Sequence, residues 1–140
     1  MDMQGLYREV IMEHYKHPHH KGLKGYKQVH LRNPSCGDDI YVEADIKNGK
    51  IVDVCHDGHG CAICCSSASI MCDLLSSKTI EEANEIITNY YHMLEGKEFN
   101  SELLDEAAAY QGVAQFPARI KCATIAWKAM EEILGDKKDE

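Results

Sequence analysis

An Asn48-Gly49 dipeptide between two runs of alternating polarity constrains the fold of this chain more than any other feature. In residues 40–47 the apolar side chains stand at every second position, and the run "KIVDVCHD" follows the dipeptide. Asn-Gly is the strongest short hairpin signal, because both residues tolerate the positive φ of a type I′ turn. The sequence therefore predicts an antiparallel hairpin with a two-residue turn.

Helical patterns surround this hairpin on both sides. Thr79 and Glu82 form a capping box, and Ser101 is the predicted cap of a shorter helix. The periodicity predicts five helices, over residues 4–17, 62–76 and 80–94, near 101–110, and from Pro117 to about Leu134. A helix, a small antiparallel sheet and then further helices make an α+β domain. We expect one domain over residues 1–140, with residues 1–5 and 135–140 frayed.

The composition excludes several classes of partner. The formal net charge of −8 predicts no binding to nucleic acid or to an acidic membrane surface, which would repel the chain. The N-terminal segment lacks the apolar core of a signal peptide, and no apolar run approaches the ~20 residues of a membrane span. We therefore expect a cytoplasmic protein.

The cysteine content indicates metal or thiol chemistry. Three of the seven cysteines fall within "CAICC", and an odd count in a reducing compartment does not suit a disulfide framework. Cys55 and Cys72 occupy apolar positions, so we expect them to be small buried side chains. Cys61 and Cys64 resemble half of a zinc knuckle or a redox pair, but no second half and no βαβ context follow. The histidines of "KHPHHKG" are more typical of a solvated loop than of a metal site.

The hairpin register suggests which side chains meet. With the Asn-Gly turn as its centre, facing residues have numbers that add up to 97, so the register pairs Cys36 with Cys61 and Asp38 with His59. Facing side chains have Cβ atoms about 4.5–5.5 Å apart, which suits two sulfurs about 2.3 Å from one zinc ion. In extended backbone, Asp38 would share the face of Cys36. The ladder is weakened, however, by the glycines at positions 37, 58 and 60.

The last helix offers a fourth ligand and a counter-charge. Its polar residues occupy one face, so Cys122 is predicted to be buried, near the positive N-terminal end that stabilises a thiolate. Arg119 projects from the apolar arc one turn earlier. Three thiolates and one carboxylate around a divalent metal sum to a charge of −2, which would give this arginine a partner.

Three cysteine motifs, "NPSCGD", "GHGCAI" and "RIKCATIAW", resemble those of the U-type iron–sulfur assembly proteins, the IscU/SufU family. The segment "LYREVIMEHYKHP" is similar to the N-terminal helix of the SufU branch, and the likeness covers roughly residues 6–134. Lys121 stands where the IscU branch has a histidine, and a protonated lysine cannot be a ligand. The 61-residue step between Cys61 and Cys122 also resembles SufU.

The resemblance implies a sheet of about three strands and a zinc site of Cys36, Asp38, Cys61 and Cys122. It further implies a zinc-dependent sulfurtransferase that accepts persulfide sulfur from a cysteine desulfurase and serves downstream iron–sulfur scaffold proteins. Cys36 would carry the sulfur, and Arg119 would assist. Two extra thiols, Cys64 and Cys65, stand where the family usually has small or hydroxyl residues.

Two other functions remain open at this point. The same ligands could hold a [2Fe–2S] cluster, so that the protein would be a scaffold on which the cluster is built and transferred. A purely structural zinc domain is the third reading, but structural sites typically use only cysteine and histidine.

Overall fold

The computed structural model describes the backbone of residues 3–138 and the side chains of residues 7–135. The helices are α1 (Met3–Lys16), α2 (Ala62–Leu75), α3 (Ile80–Leu94), α4 (Ser101–Leu104) and α5 (Pro117–Lys138). The strands are β1 (Lys27–Asn33), β2 (Asp38–Lys47) and β3 (Lys50–His59), and two 3-10 segments span Pro34–Cys36 and Asp105–Gln115. This architecture confirms the predicted α+β class, with five helices and three antiparallel strands in the described chain.

The strands form one sheet in the order β1-β2-β3, and the hairpin around Asn48 and Gly49 is present. Its predicted register is wrong beyond the first two pairs. Val52 is an extra residue in β3, so that from Asp45 outward the paired numbers add up to 98 and His59 faces Asp39. This bulge adjoins Ile51, whose backbone N–H donates to the Lys78 carbonyl and whose carbonyl accepts the Ser77 N–H. These bonds to a distant turn are not encoded in the hairpin sequence.

The core lies between the sheet and the two cysteine-bearing helices. One face of β2 presents Ile40, Val42 and Ala44, which are almost fully buried. α5 packs on β1 and β2, while α2 packs on β3 and on α5. Within this layer the Trp127 ring stacks on Tyr90 with centroids 3.8 Å apart, and the indole N–H donates to Ser67 Oγ at 2.8 Å. These contacts fix α5, and with it Cys122, against α2.

The helix ends are partly as predicted. The capping box of Thr79 and Glu82 is confirmed, with both hydrogen bonds present. The prediction for Ser101 is wrong: Asn100 caps α4, because its side-chain oxygen accepts the Glu102 N–H at 3.1 Å. Helix α4 ends at Leu104, where Asp105 has a φ of 46°, and the second 3-10 segment follows.

Between residues 3 and 138, none of the helices has the length and apolar character that a membrane crossing requires. The predicted fraying of residues 1–5 and 135–140 falls partly on residues that lie outside the described chain, and it stays a prediction.

Candidate metal centre

Four elements meet at one end of the sheet, and each contributes one predicted ligand. Cys36 ends the first 3-10 segment, Asp38 begins β2, Cys61 is the N-cap residue of α2, and Cys122 lies in the second turn of α5. Ligand atoms of Cys36, Asp38 and Cys122 all lie within 4.8 Å of one another. The side chain of Cys61 is within hydrogen-bonding reach of the Cys122 thiol. We call these four residues the cysteine centre.

The route by which these residues converge differs from the predicted ladder. Neither Cys36 nor Cys61 belongs to a strand, so the predicted pairing of the two is wrong, as is that of Asp38 with His59. Between Cys36 and Asp38 the backbone is not extended, because Gly37 adopts φ 70° and ψ 21° at the end of the 3-10 turn. This left-handed conformation suits glycine, and it folds the Cys36 side chain back toward the start of β2.

Asp38 is buried and held by two donors. Its Oδ1 accepts the backbone N–H of Cys61 at 3.0 Å, and its Oδ2 accepts the Asn33 side-chain amide at 3.2 Å. The same Asn33 amide lies 3.6 Å from Cys122 Sγ. Hydrogen bonds of this kind orient a ligating carboxylate and stabilise its charge. The neighbouring Asp39 instead pairs with His30.

Sequence reasoning missed the roles of Asn33 and Gly60. Asn33 stands before a proline, as in many turns, yet it is a buried donor between two predicted ligands, Asp38 and Cys122. A Cβ added at Gly60 would lie 2.5 Å from Asp38 Oδ1 and 3.1 Å from Asp38 Cα. Glycine is therefore needed at position 60, because any side chain would displace the carboxylate. The position of Gly60 directly before the predicted ligand Cys61 is the sequence feature that indicates this role.

The surrounding protein groups do not predispose the Cys122 thiol to ionise. Burial raises its pKa, and hydrogen bonding with Cys36, Asp38 and Cys61 raises it further. The predicted help from the helix N-terminus is weak, since the dipole acts mainly within the first turn and Cys122 lies beyond it. A thiolate at this position needs a cation, which a divalent metal would supply.

Arg119 provides one positive charge beside the sulfurs. Its side chain is exposed and hydrogen-bonds to Cys122, and this bond together with the nearby Cys61 and Cys36 raises the arginine pKa. The prediction that it projects from the buried arc is thus corrected: Arg119 approaches the centre from the solvent side. Lys121 is also exposed, and it lines a neighbouring groove with Arg32 and Asn33.

The two extra thiols lie at the start of α2. Cys64 is buried, while Cys65 is half-buried and lines a small pocket with Lys21 and His56. A hydrogen bond between the two thiols raises the pKa of Cys64, which burial raises further, and lowers that of Cys65 to about 7. Cys65 also contacts the Gly60 carbonyl at 3.6 Å, so it adjoins the cysteine centre.

Cys55 and Cys72 are fully buried, as expected. Cys72 packs in the apolar core, and burial raises its pKa well above the ordinary value. The surroundings of Cys55 are not purely apolar as predicted, because its sulfur lies 3.7 Å from the Glu43 carboxylate. Burial and this negative charge raise the pKa of Cys55 to about 11.

The donor set of the cysteine centre fits a zinc ion. Three thiols and one carboxylate are ligands that Zn²⁺ accepts, in a tetrahedral arrangement about 2.0–2.3 Å from the metal. Separations of up to 4.8 Å between the ligand atoms of Cys36, Asp38 and Cys122 leave room for an ion of that size among them, and Cys61 lies beside Cys122 as the remaining donor.

Comparison with known proteins gives the family. The model of the NifU-like N-terminal domain matches residues 6–123. The chain belongs to this family. The resemblance to the U-type iron–sulfur assembly proteins that the cysteine motifs predicted is confirmed.

The relatives include both branches of the U-type proteins. The chain is 41% identical to the zinc-dependent sulfurtransferase SufU of Bacillus subtilis (strain 168), over 99% of this chain and 95% of the relative. It is also 41% identical to the iron–sulfur cluster assembly scaffold protein IscU of Streptococcus pyogenes serotype M1, over 92% of this chain and 82% of the relative. A crystal structure described as an iron–sulfur cluster assembly scaffold protein for the SUF system, from Fervidobacterium islandicum AW-1, superposes with a TM-score of 0.83. It is 35% identical and the match covers 95% of this chain and 99% of that one.

Proposed function

We propose that this protein is a zinc-dependent sulfurtransferase of iron–sulfur cluster assembly, which accepts sulfur from the persulfide of a cysteine desulfurase. The observation that carries the proposal is the convergence of Cys36, Asp38 and Cys122 within 4.8 Å, with Cys61 beside them. These four side chains would hold the zinc ion, and a bound zinc would keep the thiolates deprotonated and ordered. The name of the Bacillus relative supports the same activity.

Cys36 is the proposed sulfur carrier. Cys122 is almost fully buried, at 1% exposure, so a partner's persulfide cannot reach it. Cys61 is half-buried, but its backbone is tied on both sides: its N–H donates to Asp38, and its carbonyl accepts the Cys65 N–H. Cys36 is half-buried in a short 3-10 turn between exposed neighbours, which is the most approachable of the three settings.

The transfer step moves one sulfur atom: the sulfur–sulfur bond of the desulfurase persulfide is replaced by a sulfur–sulfur bond on Cys36. The Cys36 thiolate attacks the outer sulfur of the desulfurase persulfide, and a bond forms between Cys36 Sγ and that sulfur. The sulfur–sulfur bond of the desulfurase breaks at the same time, and its electron pair stays on the desulfurase thiolate. Arg119, exposed beside the sulfurs, would attract the anionic persulfide to Cys36. Downstream iron–sulfur scaffold proteins would then receive the sulfur.

The cytoplasm is the compartment that we propose for this chemistry. All seven cysteines, each within the described residues, are free thiols. A reducing compartment keeps such thiols available for metal and sulfur.

A scaffold for a [2Fe–2S] cluster is the second candidate function. Its support is the Streptococcus relative, which is named a scaffold and is as identical to this chain as the sulfurtransferase is. Lys121 disfavours this function, because it stands where the IscU branch has a histidine and its exposed side chain faces a groove shared with Arg32. Metal content separates the two functions: one zinc in a colourless protein supports transfer, and iron with visible absorption supports the scaffold.

The experiment that tests the proposal adds the protein to a cysteine desulfurase and measures turnover of cysteine. We expect the zinc-loaded protein to increase turnover, the chelator-treated protein to have no effect, and added zinc to restore the increase. Equal turnover with zinc-loaded and zinc-free protein, both shown to be folded by circular dichroism, would contradict the zinc dependence.

A further inference from the structure

We propose that the protein has a second, histidine-based site for a divalent transition-metal ion, formed by His14, His19 and Asp73. Ligand atoms of these three side chains lie within 4.8 Å of one another, as do those of Cys36, Asp38 and Cys122 in the cysteine centre. His14 comes from α1, His19 from the loop after it and Asp73 from α2. Cys61, the N-cap of α2, and Asp73 are twelve residues apart, which is about 18 Å along the helix axis, so the two sites lie at different ends of α2.

His14 has the surroundings of a ligand rather than of a solvated histidine. It is almost fully buried, at 2% exposure, and its Nε2–H donates to the Glu106 carboxylate at 3.0 Å. A carboxylate that accepts the outer N–H of a histidine is the usual support of a metal-bound imidazole, since it fixes the tautomer and raises the basicity of the other nitrogen. In the neutral ring this leaves the Nδ1 lone pair, which lies 2.8 Å from Ser69 Oγ and accepts the hydroxyl of that serine, so a metal ion would replace this hydrogen bond.

The two other ligands form the open side of the site. His19 Nδ1 is 2.6 Å from Asp73 Oδ2, and the imidazole of His20 reaches the other oxygen of the same carboxylate at 2.9 Å. The side chain of His19 is half exposed, and that of Asp73 is one-third exposed. An ion can therefore enter from solvent, and water can complete its coordination. Two imidazoles and one carboxylate suit Zn²⁺, Fe²⁺, Co²⁺ or Ni²⁺.

Hydrogen bonds to α2 and β3 hold the loop in place, so the protein itself organises the ligands. The His19 backbone N–H donates to Ser69 Oγ at 2.7 Å, and its carbonyl accepts the His56 ring N–H at 2.9 Å. The His56 backbone N–H donates to the His20 carbonyl at 3.1 Å, and Gly22 donates to the His56 carbonyl at 2.8 Å. A fixed loop lowers the entropy that binding costs. A bound ion would tie α1 and this loop to α2, which also carries Cys61.

Cobalt titration of the protein loaded with one equivalent of zinc, which occupies the cysteine centre, tests the second site. Bound cobalt and retained zinc are measured by elemental analysis, and the visible spectrum reports the ligands. We expect one added equivalent of Co²⁺ with nitrogen and oxygen ligands, no sulfur-to-cobalt charge-transfer band and no loss of zinc. His19→Ala and Asp73→Asn should each weaken cobalt binding by at least about 10-fold, since the loss of even an outer-shell partner has an effect of that size.

His17→Ala is the matched control, because His17 is an exposed histidine of the same loop that is not in the cluster. It should bind the added cobalt as the wild type does, and all three variants should keep their zinc. The proposal is overturned if the zinc-loaded protein takes up no second equivalent, or if His19→Ala and Asp73→Asn bind cobalt as tightly as His17→Ala. Cobalt that enters with a sulfur charge-transfer band, as zinc leaves, also overturns it.

Discussion

Cys122 and Cys72 are both buried cysteines on helices that face the core, yet their surroundings differ in kind. Cys72 is fully buried among apolar side chains, and this burial is the main reason that its pKa is raised. Cys122 is just as inaccessible, but around its sulfur stand the Asn33 amide, the Asp38 carboxylate and the Arg119 guanidinium. Burial therefore does not distinguish a core thiol from a candidate ligand. A candidate ligand is distinguished by polar groups that come from different elements and surround its sulfur.

The largest effect should come from removing two sulfurs of the cysteine centre. We expect Cys61→Ser combined with Cys122→Ser to abolish zinc binding, since two ligands cannot hold the ion. The free energy of unfolding should fall as well, by about 4 kcal/mol if zinc is present at 1,000 times its dissociation constant. Elemental analysis and denaturant unfolding check both. Full zinc content in this double variant would place the metal elsewhere.

Gly60→Ala should be the next most severe change. The added methyl would lie 2.5 Å from Asp38 Oδ1, so the carboxylate must leave the position in which it faces the cysteine centre. We expect zinc affinity to fall by about 10–100-fold, the range for lost support of a ligand. Gly112→Ala is the control, because nothing lies within 4 Å of the added atom. Competition with a zinc-binding dye measures the affinities, and equal values for the two variants would show that Gly60 does not support the site.

Arg119→Gln should impair transfer while it leaves the metal in place. The side chain is exposed and touches Cys122 from the solvent side, so we expect its charge to act on the incoming persulfide more than on the fold. We expect the rate of sulfur transfer to fall by about 10-fold, with unchanged zinc content. Lys121→Gln removes an equally exposed charge two residues away and should have a much smaller effect. If both substitutions reduce the rate equally, Arg119 contributes only general positive charge.

The smallest effects should come from Cys55→Ala and Cys72→Ala. Both variants should keep zinc and transfer activity and lose at most about 1–2 kcal/mol from packing. Loss of zinc in either variant would mean that a core thiol is a ligand.

The core thiols should also make the fold sensitive to alkali. The pKa of Cys55 is about 11 in the folded protein, against an ordinary value of 9.0, so the unfolded thiol ionises first as pH rises. Stability from this group is present below about pH 9 and is lost between about pH 9 and 11. Thermal unfolding of Cys55→Ala should therefore show a weaker fall in stability across this window than the wild type. An identical fall would assign the alkaline sensitivity to other groups.

Much of the fold could be predicted from local patterns, because each pattern has a local physical cause. The Asn48-Gly49 turn and the capping box of α3 depend on residues that are neighbours in the chain. The bulge at Val52 could not be predicted, since it adjoins backbone hydrogen bonds between Ile51 and a distant turn. That single extra residue invalidates a register argument for everything beyond it.

In the candidate site, too, local motifs could be predicted and tertiary features could not. The motifs indicated Cys36, Asp38, Cys61 and Cys122, but the ladder that was to pair the first with the third does not reach them. Their approach depends instead on the 3-10 turn, the start of α2 and the packing of α5, which are tertiary features. The support from Asn33 could not be predicted, because a buried amide has no pattern of its own in a sequence.

Mapping of the persulfide after reaction with a cysteine desulfurase and cysteine tests the account most directly. Mass spectrometry of peptides from the zinc-loaded protein should show one added sulfur on the peptide with Cys36. In Cys36→Ala, both this mass and the stimulation of the desulfurase should be absent, while Cys65→Ala should behave as the wild type. Added sulfur on Cys64 or Cys65, or full stimulation by Cys36→Ala, would contradict the assignment of Cys36 as the carrier.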